Sequence, residues 1–129
     1  MSSIKRLLVN NIIIMGGGRW ARVIIKVLHD IVDPSVNISI YTPNNHLNMN
    51  KWVAKNKVGR QIKVIKSFPN SFNYPCVVII ANTSADHYES ALLAISSGAD
   101  VLVEKPVALN YKQALDIYDF AKKNNKIVC

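Results

Sequence analysis

Three observations predict an α/β fold, a doubly wound and mostly parallel sheet in three layers. Short apolar runs alternate with stretches of helical period along the whole chain. The central runs, Ile12-Ile13-Ile14, Val77-Val78-Ile79-Ile80 and Val101-Leu102-Val103, are apolar without alternation, the pattern of parallel strands covered on both faces. The first run ends in a glycine turn, Gly16-Gly17-Gly18, that opens a helix. The 129 residues are enough for one domain, spanning 1–129, and too few for two ordinary ones. Half of the residues are hydrophobic, which argues for a folded globular protein over a disordered one.

Residues 1–8 read as a partly mobile lead-in, and Val9 to Met15 as the first strand. Arg19 to Ile31 is the first helix, with Trp20, Val23, Ile24, Val27, Leu28 and Ile31 recurring at helical spacing as its inward stripe. Asp33-Pro34 breaks it. Val36 to Thr42 is the second strand, Leu47 to Lys57 a weaker helix stopped by Gly59, and Gln61 to Lys66 a short third strand. Phe68 to Pro75, with two prolines, reads as a loop too short for a crossover helix. Cys76 to Ala81 is the fourth strand. The polar turn Asn82-Thr83-Ser84-Ala85-Asp86 follows, with Thr83 or Ser84 as candidate caps for a helix from about Ala85 to Ser97, which Gly98 stops. Asp100 to Val103 is the fifth strand. Tyr111 to Asn124 is the last helix, capped by Asn110 and turning Ala114, Leu115, Ile117, Tyr118 and Ala121 inward. Lys126 to Cys129 begins another strand.

The glycine turn has chemistry as well as geometry. Gly16, Gly18 and Ala21 fit the G-x-G-x-x-G/A spacing of Rossmann-type dinucleotide-binding folds. Gly16 permits the tight exit from the strand, Gly18 lets a pyrophosphate approach the backbone, and Ala21 lets helix and strand pack closely. The helix N-terminus adds unpaired N–H groups and about +0.5 of partial charge. A plain tight turn has the same glycines, so the spacing alone is weak. Its position directly after a strand and before a helix strengthens it. An NAD-preferring fold often places Asp or Glu at the end of the second strand to hold the ribose hydroxyls. Here that region reads Tyr41-Thr42-Pro43-Asn44-Asn45-His46, without an acid. Nothing there repels a further phosphate, Thr42, Asn44 and Asn45 can donate to it, and Lys51 is near in sequence. The reading favours NADP over NAD. Right-handed crossovers bring the C-terminal ends of all strands to one edge, so the Gly16 turn, Thr42, the Asn82-Thr83-Ser84 turn and Glu104-Lys105 should converge on one crevice.

A net charge of +8 invites a nucleic-acid reading. The lysines and arginines are spread from Lys5 to Lys126 with no dense run and no interleaved aromatics, so a solvated basic surface is the better account, with part of the charge serving a phosphate-bearing cofactor. Cys76 and Cys129 form no C-x-x-C pair and no zinc spacing. Cys76 reads as a buried thiol, and two reduced cysteines without a secretory leader point to the cytoplasm. No apolar segment reaches the ~18–20 residues that span a membrane. His29 reads as a solvated residue near a helix C-terminus, not as a ligand.

The run Val77-Val78-Ile79-Ile80-Ala81, the polar turn, His87 and Glu89, and then Leu102-Val103-Glu104-Lys105-Pro106, together with the glycine turn, resembles the N-terminal domain of the Gfo/Idh/MocA family (glucose-fructose oxidoreductase, inositol dehydrogenase, rhizopine catabolism). The resemblance covers nearly the whole chain. It implies an NAD(P)-dependent oxidoreductase acting on sugars, cyclitols or related small molecules. It implies Lys105 as the catalytic residue near the nicotinamide, stabilising the oxygen that gains charge as hydride arrives or relaying its proton. Glu104 would orient the site, and Pro106 would hold the turn through a cis bond. It further implies that the turn Gly16-Gly17-Gly18-Arg19-Trp20 contacts the pyrophosphate through its backbone, the Trp20 side chain belonging to the core. Asn82, Thr83 and Ser84 would carry the nicotinamide-side ribose. His87 would serve either as a cofactor-side contact or in helix packing. The sequence departs from the family in the short 68–75 loop and in lacking Thr-Pro after Ala81. The family's second α/β domain is not in these residues, so the resemblance implies dinucleotide binding with little turnover by this chain alone. Two other classes remain open: a stand-alone dinucleotide sensor or partner-docking module, a homodimer included, pairing through the edge at 126–129; and a nucleic-acid binder, against which the scattered charge argues.

Overall fold

A computed structural model describes residues 9–58, 62–72 and 74–129. Five strands, β1 (Asn11–Met15), β2 (Asn37–Tyr41), β3 (Ile62–Ile65), β4 (Cys76–Ile80) and β5 (Asp100–Val103), form one sheet in the order β3-β2-β1-β4-β5. Every pair is parallel. Four helices, α1 (Arg19–Ile31), α2 (His46–Lys55), α3 (His87–Ser96) and α4 (Tyr111–Lys123), complete the alternation. The sequence-predicted lead-in, the Gly59 stop and the first residue of the predicted third strand lie outside the described residues. Residues 127–129 continue the sheet beyond β5: Val101 N–H donates to Ile127 O at 2.9 Å and Cys129 N–H to Val101 O at 3.0 Å. No helix among the described residues is long and apolar enough to cross a membrane.

The unbroken apolar runs bury both faces of the sheet, because successive strand side chains alternate between faces. In β1, Ile13 and Met15 join one cluster and Ile14 the other. In β4, Cys76, Val78 and Ile80 face the first cluster and Ile79 the second. The first cluster is closed by Ala91, Ala94 and Ile95 of α3 and by Ile117 and Ala121 of α4. The second is closed by Ala21 and Ile25 of α1 and by Met49 and Val53 of α2. Each isoleucine so buried contributes roughly 1.5–3 kcal/mol. The 68–75 loop is not helical at any described position. It covers its part of the first cluster with edge-to-face rings, Tyr41 on Phe68 at 5.5 Å and Phe68 on Phe72 at 5.9 Å.

Helix boundaries follow local chemistry. Asn110 caps α4 as the sequence suggested, its Oδ1 accepting from Gln113 N–H at 2.9 Å, while Gln113 Oε1 accepts from Leu109 N–H. Gly98, at φ +98°, ends α3. Ser84–Asp86 is a 3₁₀ turn, and the α-helix starts only at His87. The Thr83 hydroxyl donates to the Asp86 carboxylate at 2.8 Å instead of capping the helix.

Two predicted stripes need correction. On α1, Ala21 and Ile25 are buried, with Ile24 and Leu28 packed beside them. Trp20 is 53% exposed and Ile31 72%, and Val23 and Val27 are exposed too. The helix has two apolar faces, and small Ala21 decides which one can approach the sheet. On α4, Leu115 and Tyr118 are exposed while Ile117 and Ala121 are buried.

Cys76 is buried and Cys129 exposed. Burial, reinforced by the negative charge of Asp100, pushes the Cys76 thiol from near 9 up to about 12. The folded chain therefore holds that proton where the unfolded chain releases it, so this group removes stability as pH rises from 9 towards 12. A thiol-reactive dye at neutral pH should label Cys129 alone, and both cysteines in denaturant. Equal labelling rates in the folded protein would contradict the buried position of Cys76.

Candidate dinucleotide site

The strand register creates the site. Met15 is level with Tyr41 on one side and Ile80 on the other, and Ile80 is level with Val103. Strands that end at one level release their turns at one level. Gly16 N–H donates to Tyr41 O at 3.1 Å, Ala81 N–H to Met15 O at 2.9 Å, and Glu104 N–H to Ile80 O at 3.0 Å. The glycine turn, the 42–45 turn, the 82–86 turn and Glu104-Lys105 thus leave the same edge. The strand order reverses between β1 and β4, which opens a crevice there.

The three glycines differ in why they are glycine. Gly16 lies at φ +136°, and a Cβ there would sit 2.8 Å from Ala81 O. A Cβ on Gly17 would strike Thr42 Oγ1. A Cβ on Gly18 would meet no protein atom within 4 Å. Packing therefore accounts for Gly16 and Gly17, and Gly18 leaves open space at the helix N-terminus. Gly18 is the α1 N-cap and supplies no side-chain cap bond. The first helical bond runs from Arg22 N–H to Gly18 O, so the amides of Arg19 and Trp20 are among those a helix start leaves for an anion. The first turn has no acid. These features fit a dinucleotide pyrophosphate.

Two cavities flank the turn. A crevice of about 330 Å³ is lined by Gly16, Gly17, Thr42 and Asn44 on one side and by Asn82, Asp86, Glu89, Ser90 and Leu93 on the other. A second cavity, about 470 Å³, lies between Gly17-Gly18-Arg19 and α2, with Arg22, Lys26, Asn45 and Trp52 in its wall. Asn45 ties the two turns together, its Nδ2 donating to Gly17 O at 3.2 Å. Of the sequence-predicted residues, Gly16, Gly17, Thr42, Asn44 and Asn82 line the first cavity, and Gly17, Gly18, Arg19 and Asn45 the second. Trp20, Thr83, Ser84, His87, Glu104, Lys105 and Lys51 line neither. Sequence reading passed over Asp86, Ser90 and Leu93. Their signal was their spacing on the turn and helix after β4, legible only once Asn82 was placed: Asn82 Nδ2 donates to Ser90 Oγ at 2.8 Å. It also passed over Arg22 and Trp52, which are 30 residues apart.

His87 is 2% exposed and joins two of the turns. Its Nδ1 lies 2.6 Å from Pro106 O and its Nε2 lies 3.1 Å from Asn82 O. The Lys105–Pro106 bond is cis. Lys105 itself is exposed at the end of β5, and no carboxylate among the described residues pairs with it.

A glycine turn at the switch point of a doubly wound parallel sheet defines a dinucleotide-binding domain. The chain belongs to the Gfo/Idh/MocA oxidoreductase family: residues 10–129 match the family's NAD-binding Rossmann-fold domain. Over 54 residues it is 37% identical to D-glucoside 3-dehydrogenase of Escherichia coli, a stretch that is 42% of this chain and 15% of that protein. Over 54 residues it is 44% identical to inositol 2-dehydrogenase/D-chiro-inositol 3-dehydrogenase of Lactiplantibacillus plantarum, with the same shares. The fold matches the crystal structure of a probable dehydrogenase from Thermotoga maritima with a TM-score of 0.74 at 21% identity, over 92% of this chain and 34% of that one. The chain thus spans about a third of that structure.

Replacing His87 with Ala removes the ring that lies between the Pro106 and Asn82 carbonyls and leaves a void in the wall between the turns. The variant should lose about 2–4 kcal/mol, lowering the melting midpoint by roughly 10 °C. An unchanged midpoint would show that the bridge does not hold these turns.

Proposed function

We propose that this chain is the cofactor half of an oxidoreductase that moves hydride between a nicotinamide and a sugar, cyclitol or related small molecule, and that it prefers NADP to NAD. The observation that carries the reading is the common level of four turns at one sheet edge in a member of this family. The two curated relatives are named for a glucoside and for inositol, which supports a polyhydroxylated cyclic substrate. The NADP preference is supported by the turn Thr42-Pro43-Asn44-Asn45, which has no carboxylate. The acids of the crevice, Asp86 and Glu89, come from the other wall.

The residues divide the work. The amides of Arg19 and Trp20, with open space at Gly18, hold the pyrophosphate. Thr42 and Asn44 hold the adenosine side. Asn82, Thr83 and Ser84 carry the other ribose, and Glu104 orients the end of β5. A bound nicotinamide supplies or accepts the hydride. Lys105 stands against the substrate oxygen, its ammonium giving up a proton to it in reduction and its neutral amine taking one from it in oxidation. His87 acts through the two turns it joins. Catalysis needs a held substrate, so this domain by itself binds the dinucleotide and turns over little.

Calorimetric titration of the chain should give tighter binding of NADPH than of NADH. Gly18→Val puts a branched side chain where no protein atom lies, so NADPH binding should vanish while the melting midpoint stays within a few degrees. Unchanged affinity would remove the phosphate role of the turn. In a protein carrying this domain together with a substrate domain, Lys105→Ala should cut kcat by roughly 10²–10⁴-fold with cofactor affinity kept. Normal turnover would show that Lys105 is not catalytic.

A further inference from the structure

We propose that the charge of this chain is arranged to draw the dinucleotide in phosphates first, and that Lys51 and Lys66, outside both cavities, speed its capture without holding it. The inference rests on dinucleotide binding at the switch point and not on the choice between NADP and NAD.

Residues 1–66 hold 11 of the 16 lysines and arginines and 2 of the 8 acids, and residues 67–129 hold the other 5 and the other 6. The whole excess of +8 therefore belongs to the first half. Between Asp33 and Asp86 there is no acid at all. Scattered along the chain, these cations are gathered by the topology. β2 and β3 lie on one side of β1, and β4 and β5 on the other. α1 and α2 cover the same apolar cluster. Arg22 and Lys26 of α1 stand 5.7 Å and 5.9 Å from the ring centre of Trp52 on α2, so the cations of the two helices form one surface. The acids of this half, Asp30 in the last turn of α1 and Asp33 beyond it, lie at the end remote from the glycine turn. The switch point is thus a boundary of charge as well as of strand order. The wall with Gly16, Gly17, Thr42 and Asn44 belongs to the cationic half, and the facing wall carries Asp86 and Glu89.

Lys51 and Lys66 stand near that boundary. Ile65 is level with Tyr41, so Lys66 leaves β3 at the site edge. Lys51 lies about 8 Å along α2 from His46, the first helical residue after the 42–45 turn. Both are exposed and line neither cavity. Among the described residues no carboxylate pairs with either. Such lysines act on a ligand through their field, which reaches about 8 Å at physiological ionic strength. An approaching dinucleotide has its negative charge on its phosphates. The field pulls them towards the glycine turn, and Asp86 and Glu89 turn them away from the other wall. Charges placed in this way raise association rates more than affinity. Lys122 and Lys123 give the comparison. They are exposed as well, but they close the last turn of α4, roughly 16 Å from its start at Tyr111, well beyond the screening length.

The test is stopped-flow association of NADPH and of NADH, read by tryptophan fluorescence, with the native chain and two double variants, Lys51→Gln/Lys66→Gln and Lys122→Gln/Lys123→Gln. Salt is raised from about 0.02 M to about 1 M, where the Debye length is about 3 Å. The native association rate should fall steeply with salt, and more steeply for NADPH, whose 2′-phosphate adds nearly two charges. At low salt Lys51→Gln/Lys66→Gln should associate roughly 3- to 10-fold more slowly, with its dissociation rate within twofold of native, and the difference should close at high salt. Lys122→Gln/Lys123→Gln, with the same loss of net charge, should associate within twofold of native throughout. A native association rate that is flat with salt would overturn the proposal. So would an equal slowing in both variants, which would assign the effect to net charge and not to its arrangement. A faster dissociation from Lys51→Gln/Lys66→Gln with association unchanged would make these lysines contacts and overturn it too. Absence of any dinucleotide binding by the native chain would instead remove the site, and this proposal with it.

Discussion

The parallel register of the central strands is the constraint on which the rest depends. Met15, Tyr41, Ile80 and Val103 stand at one level across four strands. Backbone bonds from Gly16, Ala81 and Glu104 extend the ladder one residue beyond that level. Four turns separated by up to 90 residues therefore begin side by side. A slip of one residue in any strand would exchange its core and opposite faces. It would bury Ile13 where Ile14 belongs and move a turn away from the edge. The two apolar clusters hold the register, and the register holds the site.

Around that edge the chain separates two kinds of demand. Gly16 and Gly17 satisfy the protein, since any larger residue would meet Ala81 or Thr42. Gly18 satisfies nothing within the protein and is free to face a ligand. His87 is similar in kind to the first pair: it is buried, and its ring lies between carbonyls of the turns after β4 and β5. Lys105 is similar to Gly18, exposed and unengaged at the end of a strand. Residues that build the edge are packed, and residues that would meet a ligand are open.

Much of the fold was legible in the residue pattern. Unbroken β-branched runs such as Val77-Val78-Ile79-Ile80, bounded by turn residues, read as strands covered twice, and alternation with helical stretches leaves few topologies. The glycine spacing and the Glu104-Lys105-Pro106 turn marked two of the converging segments. Helix faces were less legible. On α1 the spacing of Trp20, Val23, Val27 and Ile31 is as helical as that of Ala21, Ile24, Ile25 and Leu28, and periodicity carries no sign saying which stripe meets the sheet. The side wall of the crevice was least legible, because Ser90 matters through its bond to Asn82 and Trp52 through its distance from Arg22.

The sequence by itself determined that this chain makes a doubly wound parallel sheet with a phosphate-type turn after its first strand, because strand burial and turn geometry are local requirements written in consecutive residues. The tertiary structure decided which apolar face of α1 is buried, that His87 bridges two turns, and that acids and cations sort into separate cavities. Those are properties of residues far apart in the chain, and only the register and the crossovers bring them within contact distance.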